Sequence, residues 1–266
     1  MTLGQPILQV QGLHKRFGAV SAAQDISVSI ARDSVVGLIG ANGAGKTTFI
    51  NIVTGYLKPD AGSVHYDGRD ITGLEPRVVT RLGICRSFQI PQLYDSMSVL
   101  DNVRVGLGIL MRNAGRGGFF SRGKAQVPGH DAPEQETAER ILATFGLLAY
   151  RNEPARKLAG GLRKLLDIAL SMIAKPRILL LDEPTSGVSA EEKFAIMEMI
   201  IRAVRGEGAT VLFVEHDMEV VARSAERVLA FYDGRIIADA APRSVLDDPD
   251  VQRFVVGASL RPARPC

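Results

Sequence analysis

The sequence predicts an α/β fold with a mixed sheet core, an antiparallel β subdomain and an inserted α-helical subdomain. Three observations carry that prediction. The apolar runs VVGLIG, RILLLDEP and ATVLFVEHD read as strands buried on both faces, as parallel strands are. Helical patterns stand between such strands, and strand–helix–strand units close a parallel sheet through right-handed crossovers. The opening stretches instead alternate apolar and polar residues, the period of a half-buried strand.

Taken in order, ILQVQGLHKRFG and DISVSI are alternating strands, the second with Ile26, Val28 and Ile30 on one face. A turn at 32–34 leads into VVGLIG, and a helix runs from about Lys46 to near Gly55, with Pro59 beyond it. GSVHYDGRDI is a short hairpin turning at Asp67-Gly68. Residues 106–131 are glycine-rich and carry Arg112, Arg116, Arg122 and Lys124. They read as a solvated insertion loop, with a contact to anionic lipid or to a partner as the alternatives. APEQETAERILATFGLL opens with acidic residues suited to a helix N-terminus. Leu162, Leu165, Leu166, Ala169 and Ile173 face one way on a further helix. Ser189 and Glu192 form a capping box ahead of a helix with Phe194, Met197, Ile201 and Val204 on one side. These patterns divide the chain into an α/β core with an antiparallel β subdomain (1–88 and 175–240), a helical subdomain (89–174) and a C-terminal extension (241–266).

Composition narrows the function. Of 266 residues, 46% are hydrophobic and 23% charged, which excludes a disordered or fibrous chain. The 32 basic and 29 acidic residues leave +3, too balanced to argue for nucleic acid. Cys85 and Cys266 make no disulfide framework, as suits a reducing compartment. MTLGQPILQV lacks the regions of a signal peptide, and no apolar run nears the roughly 20 residues a membrane helix needs.

The chemistry begins at Gly40-Ala41-Asn42-Gly43-Ala44-Gly45-Lys46-Thr47, a P-loop pattern lying after a buried strand and before a helix. Its glycines let backbone N–H groups converge on phosphate oxygens at a helix N-terminus. Lys46 then neutralises the β and γ phosphates, and Thr47 holds Mg²⁺. Asp182 and Glu183 end an apolar strand; the aspartate is placed to bind Mg²⁺ and the glutamate to orient and deprotonate an attacking water. His216 ends the strand after it and can donate to the γ-phosphate. On their own, such a histidine and Gln89 are ordinary polar residues at strand ends.

In combination these residues resemble the ATP-binding cassette of ABC transporters, from Ile7 to about Ala240. The order is the P-loop, Gln89 in RSFQIPQLY, Leu158-Ala159-Gly160-Gly161-Leu162, ILLLDEP and VEHD. The resemblance implies ATP and Mg²⁺ as cofactors, with Asn42, Gly43, Ala44, Gly45, Lys46, Thr47 and Thr48 around the phosphates and Phe17 stacked on the adenine. Thr47, Gln89 and Asp182 would hold the metal; Glu183, His216 and Gln89 would serve catalysis. Ala159, Gly160 and Gly161 would meet the γ-phosphate bound by the other subunit of a dimer.

Finer likeness is to the ATPases of branched-chain amino acid importers, in LRKLLDIALSMIAKPRILLLDEPTSGVSAEEKF, the VEHDM stretch and the insertion after DNVRVGLG. Related cassettes serve urea or amide importers and lipopolysaccharide export. The likeness implies a second ATPase subunit in a homo- or heterodimer, two membrane permease subunits and an extracytoplasmic binding protein. It implies no nucleic acid, and a peripheral place on the cytoplasmic face of the inner membrane. Ile90, Leu93, Tyr94, Met97 and Val99 would line a groove for a permease helix, Tyr94 foremost. One P-loop and no long heptads argue against a soluble ABC ATPase working on DNA or ribosomes. Two departures stand out: the family signature is Leu-Ser-Gly-Gly-Gln, and here Ala159 and Leu162 replace its serine and glutamine. Ser189 also stands where many cassettes have aspartate.

Overall fold

A computed structural model describes residues 5–87, 93–113 and 127–257. Strands β1 (Leu8–Phe17) and β2 (Val20–Ile30) pair antiparallel, with Leu8, Val10, Leu13, Ile26, Val28 and Ile30 buried as the alternation requires. Strand β3 (Val35–Gly40) leads through the glycine loop into helix α1 (Lys46–Val53). The hairpin follows as β4 (Ala61–Tyr66) and β5 (Arg69–Asp70), then α2 (Pro76–Leu82) and β6 (Ile84–Arg86). Three helices come next: α3 (Val99–Asn113), α4 (Glu134–Thr144) and α5 (Gly160–Met172). Then β7 (Ile178–Asp182), α6 (Lys193–Gly206), β8 (Thr210–Val214), α7 (Met218–Ser224), β9 (Arg227–Tyr232) and β10 (Arg235–Ala240) complete the sheets. Two short helices, α8 (Pro242–Leu246) and α9 (Pro249–Val251), follow.

The strands form two sheets. One is antiparallel, in the order β2-β1-β4-β5. The other runs β10-β9-β3-β8-β7-β6, parallel except for β10. Its central strands separate two cores residue by residue. Val35, Ile39, Leu179, Leu181, Val211 and Phe213 face the helices α3–α7. Val36, Leu38, Ile178, Leu180, Leu212 and Val214 face α1 and the antiparallel sheet. Cover on both faces is why these strands lack a polar alternate.

Three expectations are corrected. Helix α3 continues to Asn113, so the segment beginning at 106 opens as helix rather than loop. Leu107 and Met111 are buried, and Gly106 lies where a Cβ would sit 2.5 Å from Cδ1 of Ile173. The glycine there marks a close approach of α3 to α5, which composition alone reads as a loop signal. The capping box does not form: Ser189 Oγ donates to Glu192 Oε2 at 2.8 Å, and α6 starts after Glu192 with no side-chain cap. The buried face of α6 is also rotated, to Ile196, Met197, Ile200, Ala203 and Val204. Phe194 is only half-buried, with the guanidinium of Arg223 4.3 Å from its ring centre.

Beyond β10, Val245, Val251 and Val255 join the helix-side core, and Phe254 stacks on Tyr232 at 4.6 Å.

Candidate active site

Strand order makes the site. Strand β8 lies between β3 and β7, and in register Leu38 and Asp182 both face Val214. The C-terminal ends of three adjacent parallel strands therefore deliver the glycine loop, Asp182-Glu183 and His216 to one edge of the sheet. That edge is where open α/β sheets place their ligands.

The loop is held by close backbone contacts. Gly45 caps α1 at φ 107°, and a Cβ on it would sit 2.6 Å from Ala22 O. Only glycine takes this conformation and this proximity without strain. Asn42 and Gly43 are exposed, Ala44 is buried, and Thr47 and Thr48 lie in the first turn of α1. Lys46 is buried, its Nζ donating to Gly40 O at 2.5 Å and Ala41 O at 3.1 Å. Burial lowers the pKa of its ammonium, while the charges of Glu183 and Asp182 act against that shift. Lys46 and the acidic pair thus share one electrostatic neighbourhood.

Arg86, which pattern reading did not single out, donates to Asp182 Oδ2 at 2.6 Å and to Asn51 Oδ1 at 2.7 Å. It fixes the orientation of the carboxylate from the neighbouring strand. Glu183 follows at φ 49°, an unusual conformation for a residue with a side chain. Its Oε1 lies 3.1 Å from Nε2 of His216. Behind the pair, Glu215 is buried and accepts from Thr185 N–H at 2.9 Å, Thr185 Oγ1 at 2.7 Å and His216 N–H at 3.2 Å. Lys164, also buried, donates to Asp182 O at 3.2 Å. A lysine among the leucines of α5 and a glutamate closing an apolar strand were the available signals for these two.

The donor set suits magnesium bound together with phosphate. Mg²⁺ is usually held by one or two carboxylates, with phosphate and water oxygens completing its shell. Asp182 closes β7 and Thr47 stands in the first turn of α1, and Arg86 bonds both to Asp182 and to Asn51 of that helix.

Ala159 caps α5, and with no hydroxyl it gives no side-chain cap; Gly160 and Gly161 form the first turn. That turn lies against the loop after β7, near Gly187 O and Ile196. Leu162 is half-buried against the helix-side core. Phe17 ends β1, half-exposed, with Lys15 Nζ 5.8 Å from its ring centre. Gln89 and Ile90 lie outside the described residues. The groove expectation needs correcting. Val99 is wholly buried, and a cavity of about 610 Å³ between α3, α5, β6 and the end of α1 is lined by Tyr56, Ile109, Leu110, Leu170 and Ile173. Tyr94 is exposed and outside that lining, on a segment tied by Asn102 to the start of α3.

A phosphate loop, an acidic pair and a histidine on adjacent strand ends define an ATPase of the P-loop class. The chain belongs to the ABC transporter family, whose model matches residues 23–186. It is an ATP-binding, ATP-hydrolysing subunit of that family. It is 34% identical over 258 residues to LivG, the high-affinity branched-chain amino acid transport ATP-binding protein of Salmonella typhimurium, covering 96% of this chain and 99% of that one. BraF of Pseudomonas aeruginosa, of the same description, is 33% identical over 258 residues, with the same two coverages. Among solved structures, the ATP-binding cassette MJ1267 of an ABC transporter superposes with a TM-score of 0.79 at 30% identity, over 94% of this chain and 98% of that one.

Proposed function

We propose that this ATPase drives an importer of branched-chain or related amino acids, closing as a dimer on two ATP molecules and working through membrane permease subunits. The observation that carries the reading is similarity to relatives named for that transport over 96% of this chain and 99% of theirs. In this reading Lys46 and the loop 42–48 bind the phosphates, Phe17 takes the adenine, and Ala159, Gly160 and Gly161 meet the partner's nucleotide. Mg²⁺ would be held by Thr47, Asp182 and Gln89, and would offset phosphate charge.

Hydrolysis is then carried by residues already in contact. Glu183 orients a water and takes its proton as the oxygen bonds to the γ-phosphorus and the bond to the bridging oxygen breaks. His216 Nε2, 3.1 Å from Glu183 Oε1, holds that carboxylate and would turn the same N–H toward a bound γ-phosphate. The largely apolar cavity beside α3 and α5 is the place for a short helix of a permease subunit, which would couple site closure to transport. Among the described residues no helix is long and apolar enough to cross a membrane, consistent with a peripheral subunit on the inner face of the plasma membrane.

The test is gentle affinity purification of the chain from its own membranes, with every accompanying protein identified. The reading expects a second cassette, two permeases and an extracytoplasmic binding protein whose cargo is an aliphatic amino acid. A binding protein for urea or an amide would change the cargo. Lipid-export components would reverse the direction, and ribosomes without membrane proteins would end the transport reading.

A further inference from the structure

Glu215 is an expensive residue to bury. A carboxylate that is 4% exposed at the end of a wholly buried strand must be compensated, and an uncompensated one would not persist. Its compensation joins two pieces of the site. Oε1 accepts both the N–H and the hydroxyl of Thr185, in the turn that carries Glu183. Oε2 accepts the N–H of His216. Lys164 supplies nearby positive charge from α5; burial lowers its pKa, and Asp167, Asp182, Glu183 and Glu215 oppose that shift.

We propose that Glu215 is a positioning residue: one buried carboxylate clamps the backbone of His216 to the turn behind Glu183 and so sets the 3.1 Å contact between the two side chains. The turn needs such a clamp. Glu183 sits at φ 49°, a conformation that relaxes unless the surroundings fix it. Ser186 N–H to Glu183 O closes the turn locally and Glu183 N–H to Val214 O pairs it with β8, while the Glu215 contacts add the tie from Thr185 to the backbone of His216. Lys164 adds a second connection, from the helix that begins at Gly160 to the carbonyl of Asp182. A shift of α5 would thus be felt at the residue preceding Glu183.

The proposal rests on Glu183 and His216 serving hydrolysis, so the experiment separates the two ideas. Steady-state ATP turnover and nucleotide affinity are measured on the full chain, purified with the subunits that accompany it, for Glu183→Gln, Glu215→Gln, Thr185→Val and Thr185→Ser. Glutamine at 215 keeps an oxygen for Thr185 but turns an amide donor toward the His216 N–H. Glu215→Gln is expected to lower kcat about tenfold or more while nucleotide affinity stays within about twofold, since misplacement of a reacting group costs rate rather than binding. Thr185→Val is expected to lower kcat by a smaller factor, and Thr185→Ser, which keeps the hydroxyl, to restore it. Unchanged kcat with only a lower melting temperature, or equal losses of affinity and kcat, would overturn the clamp. If Glu215→Gln does not fold, the Thr185 pair decides by the same criteria. If Glu183→Gln keeps full turnover, it is the catalytic assignment that fails, whatever the clamp variants do.

Discussion

A thiol pushed up to about 11 is chemically quiet at neutral pH, and burial alone puts Cys85 there. The thiolate is the nucleophile, so at about pH 8 its reactive fraction falls roughly a hundredfold below that of an ordinary cysteine. In a Cys266→Ser chain, iodoacetamide labelling should therefore be very slow when folded and accelerate sharply on unfolding in urea. Labelling at the rate of a free thiol in the folded chain would show that Cys85 is not shielded as described. At this scale the sequence discloses groups whose neighbours are close in the chain. Gly45, Lys46 and Thr47 are legible because they share one contiguous glycine-rich pattern between a buried strand and a helix, and Asp182 and Glu183 because they close an apolar run. Arg86 was not legible: its partner Asp182 lies 96 positions away, and a lone arginine closing ICR looks like any solvated strand end. Glu215 was hidden beside His216, whose chemistry drew the reading to itself.

Among the elements, α7 shows how a cap fixes the backbone next to His216. Asp217, next to His216, accepts from the N–H groups of Glu219 and Val220 and pairs with Lys193. Burial acts to raise its pKa, but the Lys193 contact and the two backbone donors prevail, and the carboxyl ends below its usual value. A folded pKa below the unfolded one means that its stabilisation is complete above the unfolded value of about 3.9 and is lost as pH falls through the folded pKa. Melting temperature measured from about pH 7 down to about pH 3 should drop less steeply for Asp217→Asn than for the parent. Asparagine still caps the helix but carries no titrating charge. Equal acid slopes would remove Asp217 from the account. Strands were the most legible elements, since apolar runs and alternation report cover on two faces or one. The extension of α3 was not, because Gly106 serves tight packing against Ile173, a tertiary reason that reads locally as a breaker. The box at Ser189 and Glu192 failed because the two side chains bond to each other instead of to backbone N–H groups.

For the whole molecule, the order of the strand ends was implicit in the motif order, but what α5 offers to a partner was not. In a closed dimer, Ala159 and Leu162 would face the nucleotide bound by the other subunit. Ala159 brings no hydroxyl and leaves the N-terminus of α5 without a side-chain cap, while Leu162 has turned part of its surface to the core. A hydrogen bond to a charged group contributes roughly 1.5–3 kcal/mol. Its loss at the γ-phosphate slows the partner's site by about tenfold or more if the bond forms in the transition state. The P-loop residues, Asp182, Glu183 and His216 of this chain are intact, so in a heterodimer whose partner supplies a full signature one composite site would be slow and the other fast. Restoring both groups with Ala159→Ser and Leu162→Gln should raise turnover of the assembled transporter about tenfold when Glu183→Gln has silenced this chain's own site, leaving only the partner's nucleotide to report. The serine should also strengthen α5 as an N-cap, by about 1 kcal/mol, against a smaller apolar loss at the half-buried Leu162. Unchanged turnover in that background would mean that backbone N–H groups at Gly160 and Gly161 do all the recognition. Parent turnover by this chain alone at the rate of the assembly would remove the asymmetry altogether.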